Sequence, residues 1–168
     1  MQIKFNNYKN GVHQFVFENN VEELNLQENF VGKILLNCKM DKSSTQIVLN
    51  CNLHIVAKQV CDRCMYEFES EFETDFKNIY FITQSKSSDE EDESGIYYLS
   101  PDDDKIDLTN DTIENAILTI PMKILCKEDC KGLCSVCGVN KNETDCNCSI
   151  NTGNSVWEPL LKLKGKLN

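Results

Sequence analysis

A chain of 168 residues with 40% hydrophobic content can bury the core of one domain, with room for a small appendage. Its net charge of −10 excludes nucleic-acid binding through overall charge, because phosphate contacts need Lys and Arg to release counterions. No run approaches a membrane span and the first residues lack the apolar stretch of a signal peptide, so the ten cysteines predict a reducing, cytoplasmic setting and metal ligation rather than a disulfide framework.

Val12, Phe15 and Phe17 predict a short strand and Asn19-Asn20 a turn. From Val31 the pattern sharpens: Ile34, Leu36, Cys38 and Met40 alternate with mostly polar neighbours, as in a half-buried strand. Asp41-Lys42-Ser43-Ser44 reads as a turn. Ile47, Leu49, Cys51, Leu53, Ile55 and Ala57 then occupy every second position, which sends them to a core face and their polar neighbours outward. Cys38 and Cys51 fall on core faces and read as buried free thiols. His13 and His54 read as ordinary strand histidines.

Alternation resumes after Cys61-Asp62-Arg63-Cys64. Tyr66, Phe68, Phe72, Thr74 and Phe76 share one face; Glu67, Glu69, Glu71, Glu73 and Asp75 share the other. Two strands flanking Cys-x-x-Cys form a hairpin with a metal knuckle at its tip. The carboxylate row reads first as a solvated face that discourages edge pairing, and second as a contact for a basic partner. Ile79 to Ile82 extends the sheet. Residues 85–104 are an acidic low-complexity loop interrupted by a short strand at Ile96-Tyr97-Tyr98-Leu99.

Asn110 or Asp111 can cap a helix, with Glu114 completing a capping-box pattern after Asp111. Ile113, Ala116, Ile117 and Ile120 form its apolar stripe, which reads as core packing, and Pro121 stops it. Near the end, Val156, Leu160, Leu163 and Leu167 mark a second amphipathic helix studded by Lys162, Lys164 and Lys166.

The cysteines carry the chemistry. Cys61, Cys64, Cys126, Cys130, Cys134, Cys137, Cys146 and Cys148 supply two sets of four sulfur ligands, and Cys₄ is the usual set of a closed structural zinc site. Two Zn²⁺ ions on eight thiolates would take the charge to about −14. Cys134-Ser135-Val136-Cys137-Gly138 has the form of a knuckle whose turn aims N–H groups at sulfur, with Gly138 free to take a positive φ. Its nearest complement is Cys146 and Cys148; Cys126 and Cys130 then complete a site with Cys61 and Cys64. Grouping Cys126, Cys130, Cys134 and Cys137 together is the alternative. Catalytic roles find no residues: no His-x-Glu stands beside a Cys-x-x-Cys, no glycine loop cradles phosphate, and no nucleophile has a nearby base. A redox role for Cys61 and Cys64 is the enzymatic alternative, and a structural zinc scaffold unrelated to RNA is another.

The fold expected is α+β: an antiparallel sheet, as a partly open barrel or meander, with a packed helix and a Cys-rich zinc-binding C-terminal segment. In chain order this gives a sheet core over 1–125 with acidic loop 85–104 and helix 110–120. A zinc-binding segment at 126–150 packs on the hairpin tip at 61–64, and an amphipathic helix covers 151–168.

Several of these residues together resemble the bacterial YceD-like family, long described as a domain of unknown function. They are Val60-Cys61-Asp62-Arg63-Cys64 after an alternating strand, the acidic loop, Ile106-Asp107-Leu108 before a helix, Pro121, and the run from Leu125 through Cys126, Cys130 and Cys134 to Gly138. The likeness spans residues 30 to 165. It implies zinc-ligand roles for Cys61, Cys64, Cys126 and Cys130 and for the later cysteines. It further implies a bacterial, cytoplasmic role in accumulation of large-subunit (23S) ribosomal RNA. The partners implied are that rRNA precursor or a basic ribosomal protein, ribosomal protein L32 among the candidates, with no membrane and no small-molecule substrate. Ser135 stands where the family often has Pro, and Asn154-Ser155-Val156-Trp157 departs from its usual Asp-Pro-Arg-aromatic.

Overall fold

The computed structural model describes residues 1–26, 29–83 and 95–149. The chain divides into two compact units, Met1–Val60 with Glu67–Ile124, and Cys61–Tyr66 with the chain from Leu125 onward. The second amphipathic helix and Lys162, Lys164 and Lys166 lie outside the described residues.

The first unit is a sheet of β2 (Gly11–Asn20), β3 (Phe30–Lys42), β4 (Gln46–Val60), β5 (Glu67–Ile82) and β6 (Ile96–Leu99), in that spatial order. A two-stranded ribbon pairs β1 (Gln2–Ile3) with β7 (Ile106–Asp107), and one helix, α1, covers Thr109–Leu118. Period-two patterning works as expected in β3 and β4: Ile34, Leu36, Met40, Ile47, Leu49, Leu53, Ile55 and Ala57 are all buried. β2 is longer than expected, and Val12 lies on its solvent side while Phe15 and Phe17 face the core. Tyr66 precedes β5 and is exposed rather than sharing the face of Phe68.

The sheet is mixed rather than antiparallel throughout. β2 to β5 follow each other as antiparallel neighbours, but β6 runs parallel to β5, with Ile79 opposite Ile96 and Ile82 opposite Leu99. Parallel pairing needs a crossover of about a dozen residues or more, and the acidic segment between Ile82 and Ile96 supplies that length.

Cys38 and Cys51 are joined by a disulfide, not free. They sit directly opposite in the β3–β4 register with Cα atoms 4.2 Å apart, flanked in the same row by Phe15 and Phe76. Alternation places both inside; register, which alternation does not report, sets them face to face.

At the start of α1 the N-cap position falls to Leu108, with no side-chain cap, and not to the expected Asn110 or Asp111. Asp107 accepts hydrogen bonds from Thr109 N at 2.9 Å and Thr109 Oγ1 at 2.6 Å. Partial burial opposes its charge, but these donors and Gln2 outweigh that and hold its carboxyl at about 2. Asp111 is spoken for elsewhere: Asn78 Nδ2 and the Tyr97 hydroxyl both donate to it. On the helix, Ala116 and Thr112 are buried and Ile113 is half-buried, whereas Ile117 is 40% exposed. Burial of Thr112 is tolerable because its hydroxyl donates to Leu108 O at 2.7 Å.

On the outer face, Glu67, Glu69, Glu71, Glu73 and Asp75 are exposed. Asn52 Nδ2 donates to Glu73 and Asp75, and His54 lies 3.5 Å from Glu71.

Candidate metal centres

Both cysteine quartets lie in the second unit. Cys61, Cys64, Cys126 and Cys130 form one group and Cys134, Cys137, Cys146 and Cys148 another, with the sulfurs of each within 4.8 Å of one another. The alternative grouping of Cys126 and Cys130 with Cys134 and Cys137 does not occur.

The first centre is assembled across the sequence. The turn joining β4 to β5 supplies Cys61 and Cys64; the chain after Ile124 returns Cys126 and Cys130, 62 to 69 residues away. Cys61 Sγ lies 3.7 Å from Cys130 Sγ, and Cys64 Sγ lies 3.6 Å from Cys126 Sγ. Those separations are far too long for disulfides. They match the edge of a sulfur tetrahedron around zinc, about 3.8 Å for a Zn–S bond of about 2.3 Å. The donor set therefore suits a tetrahedral thiophilic ion.

The turn is tied in several ways. Cys61 N donates to Tyr66 O and Met65 N donates to Cys61 O, both at 2.9 Å, with Met65 at a positive φ of 59°. Arg63 Nη1 donates to Cys130 O at 2.8 Å, and Leu133 N donates to Arg63 O at 2.9 Å. Gly132 makes this approach possible: a Cβ there would sit 2.9 Å from the Arg63 carbonyl oxygen. Arg63 is thus a clamp within the unit.

The electrostatics of the quartet suit a bound cation. Burial opposes the Cys61 thiolate, but N–H groups of Cys126, Arg63 and Cys64 point at its sulfur and bring the thiol down to about 6. Cys130 is lowered despite burial by the Asn142 side chain and the Gly132 N–H. Cys126, desolvated and crowded by the other sulfurs, is pushed up to about 12, and Cys64 is raised for similar reasons. Four adjacent sulfurs cannot all ionise until a cation joins them. A low Cys61 would also suit a redox thiol, yet Cys61 is fully buried and its donors are those of a metal knuckle.

The second centre is local. Cys134 N donates to Val139 O at 2.8 Å, and Gly138 N donates to Cys134 O at 2.8 Å, with Gly138 at the positive φ anticipated from its position, 74°. N–H groups of Cys137 and Val136 bring Cys134 to about 6, while its neighbour Cys148 is pushed up to about 12 by the Cys137 sulfur and by burial. Cys134 is buried, Cys146 half-buried and Cys137 exposed. The tight Cys146-Asn147-Cys148 spacing still delivers both sulfurs to one group.

Sequence reasoning missed Asn142, whose Nδ2 donates to Cys130 Sγ at 3.3 Å, and the left-handed Met65. Only the equivalence of Met65 to Gly138, each directly after the second cysteine of its knuckle, hinted at the latter.

In comparison with known proteins, the family described as "Large ribosomal RNA subunit accumulation protein YceD" matches residues 49–164. No curated protein and no solved structure matches.

Proposed function

Because the chain belongs to the YceD family, we propose that it is a non-enzymatic zinc-binding factor that supports accumulation or assembly of the large ribosomal subunit through its 23S rRNA. The observation that carries this reading is that the matched span, 49–164, encloses all eight cysteines of the two quartets. Cys61, Cys64, Cys126 and Cys130 would hold one ion and Cys134, Cys137, Cys146 and Cys148 the other. Zinc bound by four thiolates keeps no open position for water or substrate, so its contribution would be a cross-link rather than a reaction. Thiolate sets of this geometry also favour zinc over harder divalent ions.

Among partners, a basic ribosomal protein suits the molecule better than bare RNA. The net charge is −10, and the exposed carboxylates of β5 lie in one row. We place the protein in the cytoplasm; among the described residues no helix is long and apolar enough to cross a membrane.

Two measurements test the reading. Depletion of the protein should lower large-subunit rRNA relative to small-subunit rRNA, and an unchanged ratio contradicts the role. Pull-down with and without nuclease then separates partners: retention of a ribosomal protein after digestion supports a protein contact, and its loss favours RNA.

A further inference from the structure

The two quartets share a loop. Residues 138–145 run between Cys137 and Cys146, so an ion at the second centre would pin both ends of that loop. The same loop reaches the first centre. Asn142 Nδ2 donates to Cys130 Sγ at 3.3 Å while Asn142 Oδ1 accepts from the Lys131 N–H at 2.9 Å. Asn140 holds that pose, its Oδ1 accepting from both the backbone N–H and the side-chain amide of Asn142. Lys141 N donates to Gly132 O at 2.9 Å, and Leu133 bridges to Asn140, so the loop is laid against the segment that leaves Cys130.

We propose that Asn142 is a positioning residue that couples the two centres, so that an ion held by the second quartet strengthens the first centre's grip on its own ion. The inference rests on the reading that both quartets bind metal.

The physical basis is charge and order. Four thiolates on a divalent ion leave excess negative charge on sulfur, and an N–H donor spreads that charge and fixes the ligand's orientation. A loop held at one end must give up conformational freedom to present Asn142; a loop held at both ends has already given it up. Coupling of this kind is reciprocal, so the first ion must favour the second by the same factor. Loss of a donor that supports a metal ligand typically lowers metal affinity roughly 10–100-fold.

The test uses the full chain loaded with Cd²⁺, read by cadmium NMR, which gives one resonance per centre, during competition with a chelator. Asn142→Ala removes the donor to Cys130 and the acceptor for Lys131 N–H without adding charge; Asn142→Asp keeps the shape and that acceptor but sets a negative charge against Cys130, so its loss should be the larger. Both variants should still take up two ions, with first-centre affinity down roughly 10–100-fold and its resonance displaced. Cys148→Ser, which dismantles the second centre without touching Asn142, should lower first-centre affinity by a comparable factor. Adding Asn142→Ala to Cys148→Ser should then change little. First-centre affinity unchanged in Asn142→Ala, unchanged in Cys148→Ser, or lowered multiplicatively in the double variant, overturns the coupling. Fewer than two ions on the unsubstituted chain would instead overturn the metal reading itself.

Discussion

Cys61 and Cys134 open knuckles of one backbone design. In each, the first cysteine's N–H donates to a carbonyl five residues on, Tyr66 or Val139, and the residue after the second cysteine donates back to the first cysteine's carbonyl. That residue has a positive φ in both, 59° at Met65 and 74° at Gly138. What differs is the reach of the remaining ligands. The first knuckle recruits Cys126 and Cys130 from more than sixty residues away and buries Cys61, Cys64 and Cys130; the second draws Cys146 and Cys148 from the adjoining loop and leaves Cys137 exposed. One local motif therefore carries two thermodynamic weights, because a cross-link removes more chain freedom when it closes a longer loop.

The largest expected effect breaks the first centre. A structural zinc ion contributes about 10–16 kcal/mol in small peptides, against a net stability of roughly 5–15 kcal/mol for a typical domain. Cys64→Ser should therefore lose one ion and lower the thermal midpoint far more than Cys137→Ser; equal losses would erase the distinction between the centres. The Cys137→Ser effect should be confined, with amide shifts in two-dimensional NMR concentrated in residues 131–149 and, through Asn142, around Cys130. Spread of those shifts through β2 to β5 would contradict the local character of the second centre.

Stepwise chelation sharpens the comparison further. A competing chelator should strip the second centre first, as its ligands are less buried; removal of the first ion ahead of it would invert the hierarchy.

The smallest effects come from the two positive-φ residues and should have opposite signs. Met65 pays the left-handed penalty of a non-glycine residue, about 1–2 kcal/mol, and at 63% exposure its side chain packs little. Met65→Gly should therefore stabilise the zinc-loaded protein by about 1 kcal/mol in denaturant unfolding, less the freedom glycine adds to the unfolded chain. Gly138→Ala meets no atom within 4 Å, so its expected loss of about 1 kcal/mol is purely conformational. Destabilisation by both substitutions would show that the Met65 side chain contributes contacts its exposure conceals.

Much of this arrangement was legible in residue order. Alternation identified the core faces of β3 and β4, and short cysteine spacings identified both knuckles and favoured the observed division of the eight sulfurs over grouping Cys126 and Cys130 with Cys134 and Cys137. What escaped depends on register and on distant partners. Nothing in the pattern around Cys38 reveals that Cys51 stands opposite. A four-residue strand at Ile96 does not announce that it will run parallel to β5. Asp111 looks like a cap, but Asn78 and Tyr97 take it, and the N-cap falls to Leu108 with no side-chain cap. Asn142 lies in a loop without periodicity, and its role exists only once Cys130 is beside it.

The most direct measurement is the metal content of the chain purified under reducing conditions, alongside the number of alkylatable thiols in the folded state. Two zinc ions per chain, with the eight thiols of the quartets protected until chelator is added, is the predicted result. A well-folded, fully reduced chain that carries no metal and alkylates freely at Cys61, Cys64, Cys126 and Cys130 would contradict it.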